Sequence, residues 1–262
     1  MPFADVNGQR IAYDDSGGDG PPVVLAHGFL MDRSMFDHQV AALAPTYRVV
    51  TWDERCFGDT VWDGAPFTYW DSARDCLGLM DHLGIARAVV GGMSQGGFLS
   101  LRVALVAPER VRALILLNSG ALAETPEATA ANEGLLAALT EHGWVDDLAQ
   151  AVAGLIISDP ALDEVWIARW RSRDREPLRE AANCLLGRED LTDRLGEITC
   201  PALVVHGSED AAIEPSVAEV TATNLPRATG PVWIEGAAHA ANMTHPEPVN
   251  AAIVSFLAGL AA

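Results

Sequence analysis

Residues 89–105 read VVGGMSQGGFLSLRVAL and contain the turn that decides the fold. An apolar run ends at Gly92, and a pattern typical of a helix starts immediately after Ser94. Glycines at 92 and 96 remove Cβ clashes, so the chain can turn sharply and leave the Ser94 hydroxyl exposed. Three interpretations compete: a structural connection between a strand and a helix, a phosphate-binding loop, and an exposed nucleophile.

The sequence around Ser94 lacks the motifs of a phosphate-binding loop. Such loops need G-x-x-x-x-G-K-[ST] or G-x-G-x-x-G, and GGMSQGG contains neither. The G-x-S-x-G pattern of residues 92–96, placed between a strand and a helix, is typical of a nucleophile elbow. The start of the helix also presents free N–H groups to a developing oxyanion. We therefore predict that Ser94 is a nucleophile, with a purely structural turn as the alternative.

The rest of the chain alternates between short apolar strands and helical segments. Strands are predicted in VVLAHG (23–28), YRVVTWD (47–53), RAVVGG (87–92) and VRALILLNS (111–119). This alternation predicts an α/β protein with a mostly parallel sheet covered by helices on both faces.

Residues 122–197 interrupt the alternation. They contain four helical patterns and no clear strand, and the alternation resumes with PALVVHGSED (201–210). We predict a core domain made of residues 1–121 and 198–262, and a helical cap, residues 122–197, inserted after the sixth strand. Such a cap would cover the carboxyl ends of the strands, where open α/β sheets bind ligands.

A nucleophilic serine needs a base, and the base needs an orienting acid. His239 follows the last predicted strand and is the candidate base; His245, just before a proline at the start of the last helix, is the competitor. Asp210 follows the preceding strand and is the candidate acid, with Glu209 beside it as the alternative. Asp210 could instead cap a helix or turn. The order Ser94, Asp210, His239 is the order expected of an α/β-hydrolase.

The sequence resembles α/β-hydrolases over essentially its whole length. The stretch AHGFLMD (26–32) resembles the His-Gly oxyanion loop of that family. This resemblance implies that the backbone N–H groups of Phe29 and Gln95 hold the oxyanion. It also implies that His27 braces the loop and is not a catalyst.

A second stretch, WDERCFGDT (52–60), resembles the family's Asp-x-Arg-Gly-x-Gly-x-Ser segment. It departs from that pattern at Cys56, where the family has glycine, and at Thr60, where it has serine. Asp53 and Arg55 are expected to be structural. Cys56 is either a buried thiol or a group at the mouth of the pocket.

The overall likeness is to 3-oxoadipate enol-lactonases and related esterases. It rests on residues 35–53 and 189–210, which many small hydrolases and cofactor-free haloperoxidases share. The resemblance implies hydrolysis of a small carboxylic ester or lactone through an acyl-enzyme on Ser94. His239 would accept the serine proton, Asp210 would hold the imidazole, and no metal or organic cofactor is expected.

Other functions use the same three side chains. Carbon–carbon bond hydrolysis of a diketone and perhydrolysis by a cofactor-free haloperoxidase both fit. A non-catalytic ligand-binding protein on the same fold is the alternative from another class. Dehalogenases and epoxide hydrolases require an aspartate nucleophile where this chain has Ser94.

The substrate pocket is expected to be lined by the oxyanion loop, the cap and the loops that carry the candidate triad. The candidate lining residues are Gly28, Leu30, Met31, Met93, Trp144, Ile156, Trp166, Trp170, Ile213 and Ala240. Trp166 and Trp170 are four residues apart and share a helix face, so they either line a pocket for a bulky apolar substrate or form the core of the cap. Arg169, Arg171, Arg173 and Arg175 could bind a carboxylated substrate, although their spacing favours solvated positions.

The composition restricts the partners. With 17 basic and 36 acidic residues, the net charge of −19 argues against nucleic acid and anionic membranes. The four cysteines form no CxxC pair, which is typical of reduced thiols and not of a zinc site. The sequence shows neither a signal peptide nor a membrane span, so we expect a cytoplasmic monomer or homodimer whose partners are a small-molecule substrate and water.

Overall fold

The computed structural model describes residues 2–260, within which eight strands form one sheet in the order β1-β2-β4-β3-β5-β6-β7-β8. The strands are β1 (Phe3–Val6), β2 (Gln9–Asp15), β3 (Pro22–Ala26), β4 (Arg48–Trp52), β5 (Ala88–Met93), β6 (Val111–Leu117), β7 (Ala202–Gly207) and β8 (Ala228–Ile234). β1 and β2 pair antiparallel, β2 pairs antiparallel with β4, and all the other pairs are parallel. The α/β-hydrolase fold predicted from the sequence is confirmed.

The helices cover both faces of this sheet. They are α1 (Asp37–Leu43), α2 (Tyr69–His82), α3 (Gln95–Val106), α4 (Pro126–His142), α5 (Asp146–Ile156), α6 (Pro160–Ser172), α7 (Leu178–Leu186), α8 (Pro215–Asn224), α9 (Ala241–Thr244) and α10 (Pro246–Leu260). Every residue of β5 and β7 is buried, because a parallel strand with helices on both sides has no face in water. None of the helices within residues 2–260 has the length and apolar character needed to cross a bilayer.

Two apolar clusters fill the layers on either side of the sheet. Val90, Leu99 and Leu114 belong to one cluster, and Phe36 and Ile115 to the other. Neighbouring residues of one strand, such as Leu114 and Ile115, enter different clusters because side chains alternate across a strand. The sheet is therefore held from both faces, and its carboxyl edge is a rigid base for a site.

Helices α4 to α7 all lie between β6 and β7, as the helical patterns predict. α5 and α6 supply Ile156 and Trp166 to the same apolar cluster as Phe36. Trp170 of α6 donates a hydrogen bond from Nε1 to the carbonyl oxygen of Leu30, at 2.7 Å. Helix α6 thus packs onto the loop that follows β3.

Candidate active site

Ser94 lies at a sharp turn between β5 and α3. Its backbone has φ 53° and ψ −115°, a conformation that residues with a Cβ rarely adopt. The Ser94 amide donates to the carbonyl oxygen of Leu117 at 2.9 Å, and the Ser94 carbonyl accepts from the Ser119 hydroxyl at 2.7 Å. Both bonds come from β6 or the loop after it, so the neighbouring strand fixes the strained turn.

Gly92 and Gly96, on either side of Ser94, are required at this turn for a steric reason. A Cβ at Gly92 or at Gly96 would collide with the carbonyl oxygen of Ala26, at the end of β3. The turn therefore needs glycine on both sides of Ser94 because a neighbouring backbone passes against it.

The structure brings Asp210 and His239 together from the loops after β7 and β8. His239 Nδ1 lies 2.8 Å from Asp210 Oδ2, and both side chains are buried. His239 Nδ1 must donate this bond to the carboxylate, which leaves Nε2 as the nitrogen free to accept a proton.

Five donors surround the Asp210 carboxylate. Oδ1 accepts from the backbone N–H groups of Ala212 and Ile213, both at 2.9 Å. Oδ2 accepts from Asn118 Nδ2 at 2.9 Å and lies 3.2 Å from His206 Nε2, in addition to its bond with His239. Burial alone would raise the pKa of the Asp210 carboxyl, but the nearby His239 and these hydrogen bonds hold that pKa below its ordinary value.

Two of these donors, Asn118 and His206, were not predicted from the sequence. Asn118 directly follows β6 and His206 is the residue before the last one of β7, so both lie at the carboxyl edge of the sheet. His206 is fully buried, and its Nε2 also contacts the carbonyl oxygen of Ile213 at 2.9 Å. The position of polar side chains at strand ends was the available signal, but only the strand order shows that they meet Asp210.

Ser94 and His239 line the same cavity, whose volume is about 300 Å³. No hydrogen bond joins their side chains in the part of the chain that the structure describes. In unliganded sites such bonds are often long and shorten when substrate binds.

The proposed oxyanion donors also lie beside this cavity. Phe29 lines it, and Gln95 is the first residue of α3, directly after Ser94. Among residues 2–260, neither backbone N–H donates a hydrogen bond to another group of the protein. Both N–H groups are therefore available to an oxygen bound next to Ser94.

The competing acid and base lie elsewhere. Glu209 is exposed to solvent, while its neighbour Asp210 is buried. The His245 ring contacts the Thr244 hydroxyl at 2.9 Å and does not line the cavity. Geometry thus favours Asp210 and His239 over Glu209 and His245.

Four of the ten candidate pocket residues line the cavity that contains Ser94. They are Leu30, Met93, Ile156 and Ile213. Gly28 and Ala240 are not among the residues that line it: Gly28 lies against the Met93 side chain, and the fully buried Ala240 donates its backbone N–H to the carbonyl oxygen of Ile156.

The aromatic residues of the cap do not line this cavity. Trp166 is buried in the apolar core, which is one of the two positions that the sequence left open for it. Met31, Trp144 and Trp170 line a second pocket, of about 380 Å³, together with Leu30 and the half-buried Cys56. The hydrogen bond from Trp170 to the Leu30 carbonyl oxygen lies beside this second pocket.

The segment after β4 braces the site from behind. His27 is buried between the backbone N–H of Glu54, at 3.0 Å, and the carbonyl oxygen of Gly28, at 2.8 Å, in keeping with a structural role. Asp53 pairs with Arg33. Arg55 pairs with the buried Asp75 at 2.5 Å, and these contacts join the segment to α2 and to the loop after β3.

Glu54 was not singled out by the sequence, yet it lies behind the proposed oxyanion donor. Its buried carboxylate accepts a hydrogen bond from Gln95 Nε2 at 3.1 Å. Burial raises the pKa of the Glu54 carboxyl well above its ordinary value, although the bond from Gln95 opposes the shift. At a pH between the ordinary pKa and this raised pKa, the folded protein therefore holds a proton on Glu54 that the unfolded chain releases.

We predict that Glu54→Gln changes how the free energy of unfolding depends on pH. Because the folded-state pKa is raised, the wild-type protein should lose stability as the pH rises from about 4.5. The uncharged glutamine side chain of the variant has no proton to lose, so the variant should gain stability relative to wild type between pH 5 and pH 8. Urea unfolding of both proteins at these two pH values measures the change; a pH-independent difference would contradict it.

The residues within 2–260 contain no group of three or more His, Cys, Asp or Glu side chains placed to hold a metal ion.

Comparison with known proteins agrees with this fold. The family described as alpha/beta hydrolase fold matches residues 21–246. The chain therefore belongs to the alpha/beta hydrolase family.

Its relatives differ in the reactions that their names give. The dihydrolipoyllysine-residue acetyltransferase component of the acetoin cleaving system of Pseudomonas putida is 34% identical, over 97% of this chain and 68% of that protein. A Mycobacterium tuberculosis protein named as a non-heme bromoperoxidase is 30% identical over 97% of this chain and 99% of its own length. A 2-hydroxy-6-oxononadienedioate/2-hydroxy-6-oxononatrienedioate hydrolase of Paraburkholderia xenovorans is 29% identical over 95% and 91%.

Solved structures of similar shape include ester and lactone hydrolases. A thermophilic esterase from Thermogutta terrifontis superposes with a TM-score of 0.88 at 30% identity, covering 98% of this chain and 97% of that one. The enol-lactonase from Burkholderia xenovorans superposes with a TM-score of 0.85 at 30% identity, covering 98% and 100%.

Proposed function

We propose that this protein is a serine hydrolase that cleaves a carboxylic ester or lactone of a small organic molecule through an acyl-enzyme on Ser94. The observation that carries the proposal is the pairing of His239 with the buried Asp210 at 2.8 Å, beside the cavity that Ser94 also lines. The likeness to an esterase and to an enol-lactonase supports the choice of substrate class.

The reaction follows from these atoms. His239 Nε2 takes the hydroxyl proton of Ser94 as Oγ attacks the acyl carbon, and Asp210 stabilises the resulting imidazolium. The N–H groups of Phe29 and Gln95 hold the tetrahedral oxyanion, at about 3–4 kcal/mol for one donor in comparable sites. The C–O bond breaks, and the leaving alkoxide takes the proton from His239.

Water completes the cycle. It attacks the acyl-enzyme with His239 again as base, which releases the acid and restores the Ser94 hydroxyl. A lactone follows the same steps, except that its alcohol remains attached to the acyl group. The residues 122–197 act as a cap over this chemistry, because α4 and α5 supply cavity wall opposite Ser94.

The first test is a pH-stat screen of esters and lactones, with a diketone and a peroxide–bromide mixture as separate arms. We expect acid release from at least one ester or lactone, and covalent labelling of Ser94 by a fluorophosphonate, located by peptide mass. Cleavage of the diketone alone, or peroxide-dependent bromination alone, would instead support the functions named for two relatives. Ligand binding without turnover in any arm would support a binding protein.

Trp170 is predicted to position the proposed oxyanion loop. Its Nε1–H donates to the Leu30 carbonyl oxygen, and Leu30, with φ 64°, directly follows Phe29. Trp170→Phe leaves this buried carbonyl unsatisfied, at a cost of about 1–3 kcal/mol, and lets the loop relax. We expect kcat to fall about tenfold with little change in KM, because the lost interaction acts on the transition state.

Trp166→Phe is the matched control for this prediction. Trp166 is buried in the same helix, but its indole N–H makes no hydrogen bond with the described residues. An equal loss of kcat in both variants would show that aromatic packing, and not the bond to Leu30, sets the activity.

A further inference from the structure

The cavity that contains Ser94 has almost entirely apolar walls. Its apolar lining comes from the loop after β3, from β5 and α3, from α4, α5 and α7, and from the loop after β7. These residues include Phe29, Leu30, Met93, Phe98, Leu135, Leu139, Val152, Ile156 and Ile213. Its volume of about 300 Å³ is that of about ten water molecules in the liquid, so it fits a substrate portion of about ten heavy atoms.

Two titratable side chains, Glu124 and His239, lie in the described lining of this cavity. That lining includes no Lys or Arg. Arg188 pairs with Glu124 at 2.9 Å and lies over the ring of Phe98, 4.4 Å from its centroid. The guanidinium is therefore behind the cavity wall, while the carboxylate is part of the wall.

The four cap arginines all have partners within the protein, and none of them is part of the cavity lining. Arg169 and Arg173 both pair with Asp32, and Arg171 pairs with Asp146. Arg175 donates to the carbonyl oxygen of Leu139. None of these four residues lines the cavity that contains Ser94. The positive charge needed to bind a carboxylated substrate is thus absent from the described cavity wall.

We propose that the substrate is a neutral, apolar ester or lactone and that Glu124 selects against carboxylated substrates. This inference rests on the proposed function and narrows its substrate class. A carboxylate in this cavity would lose hydration without gaining a Lys or Arg partner from the described wall. It would also face the Glu124 carboxylate, and such like-charge contacts are a common means of rejecting a competing ligand.

The test compares two substrates that differ in one carboxylate. The 4-nitrophenyl ester of hexanoic acid and the 4-nitrophenyl monoester of adipic acid have the same six-carbon chain and the same leaving group. We expect kcat/KM to be at least about 100-fold higher for the hexanoate, which is the penalty for placing an unpaired charge in an apolar site. Equal rates would overturn the substrate class while leaving the hydrolase function intact. Hydrolysis of neither ester, nor of any other ester or lactone, would count against the hydrolase function itself.

Two variants identify the source of the selectivity. Glu124→Gln removes the wall carboxylate and leaves Arg188 without its ion pair, so the hexanoate-to-adipate ratio should fall about tenfold. Glu219→Gln removes an exposed carboxylate on α8 and should leave the ratio unchanged. A ratio that collapses in 0.5 M salt, or that changes equally in both variants, would assign the selectivity to the net charge of −19.

Discussion

Ser94→Ala is expected to lower kcat by at least about 10⁴-fold for the ester that the wild-type protein hydrolyses best. The substitution removes the hydroxyl group, and with it both the nucleophilic oxygen and the proton that His239 would accept. The fold should persist. The bonds from the Ser94 amide to Leu117 and from Ser119 to the Ser94 carbonyl involve only the backbone of residue 94. Initial rates in a pH-stat, with circular dichroism of both proteins, measure the two effects.

Ser216→Ala is a matched control for the loss of one hydroxyl. Ser216 is an exposed residue on α8, and its hydroxyl contacts only the Glu214 carboxylate, at 3.4 Å. This variant should keep wild-type activity. A Ser94→Ala variant that retains more than about a hundredth of the wild-type rate would contradict the assignment. Such a rate would exceed what substrate binding and the oxyanion donors supply in comparable enzymes, so Ser94 would not be the nucleophile.

Asp210→Asn is expected to lower kcat by about 10⁴-fold, the loss seen when a triad aspartate becomes an amide. The Asp210 carboxylate accepts from donors on both oxygens, and an amide can accept on only one. The asparagine side chain of the variant therefore must turn an NH₂ group toward backbone donors or toward the imidazole. Either arrangement removes the bond that orients His239 Nδ1.

Glu209→Gln is the control for this prediction, since it removes a carboxylate from the adjacent, exposed position. Activity within about twofold of wild type is expected for Glu209→Gln. A large loss of activity in Glu209→Gln together with a small loss in Asp210→Asn would show that Glu209, and not Asp210, is the acid that orients His239.

The depressed pKa of Asp210 also fixes the sign of a stability effect. An ionised Asp210 stabilises the fold above its unfolded-state pKa of about 3.8, and this contribution disappears as the pH falls through the folded-state value. The asparagine of the variant has no such proton. Urea unfolding should therefore show that Asp210→Asn is less stable than wild type at pH 7, by a margin that narrows as the pH is lowered below 4.

The alternation of strands and helices and the turn around Ser94 could be predicted from the sequence, because both are local. A buried parallel strand is a short apolar run, and a strained turn before a helix needs glycine where a neighbouring backbone passes. The candidate base and acid could also be predicted, because each follows a strand and strand ends meet at one edge of the sheet. The resemblance of residues 26–32 to a known oxyanion loop added Phe29 and Gln95.

The tertiary structure decided which side chains surround these residues. Asn118 and His206 reach Asp210 only because β6 and β7 are neighbours in the sheet. Trp170 contacts the Leu30 carbonyl, 140 positions away, and lines a second pocket and not the cavity that contains Ser94. Glu124 becomes part of the cavity wall, while three arginines of the same region pair with Asp32 or Asp146. The periodicity of the sequence predicts which face of a helix is apolar. The residues that line the cavity are set by the packing of α4 to α7 on the core domain, and this packing depends on contacts between distant parts of the chain.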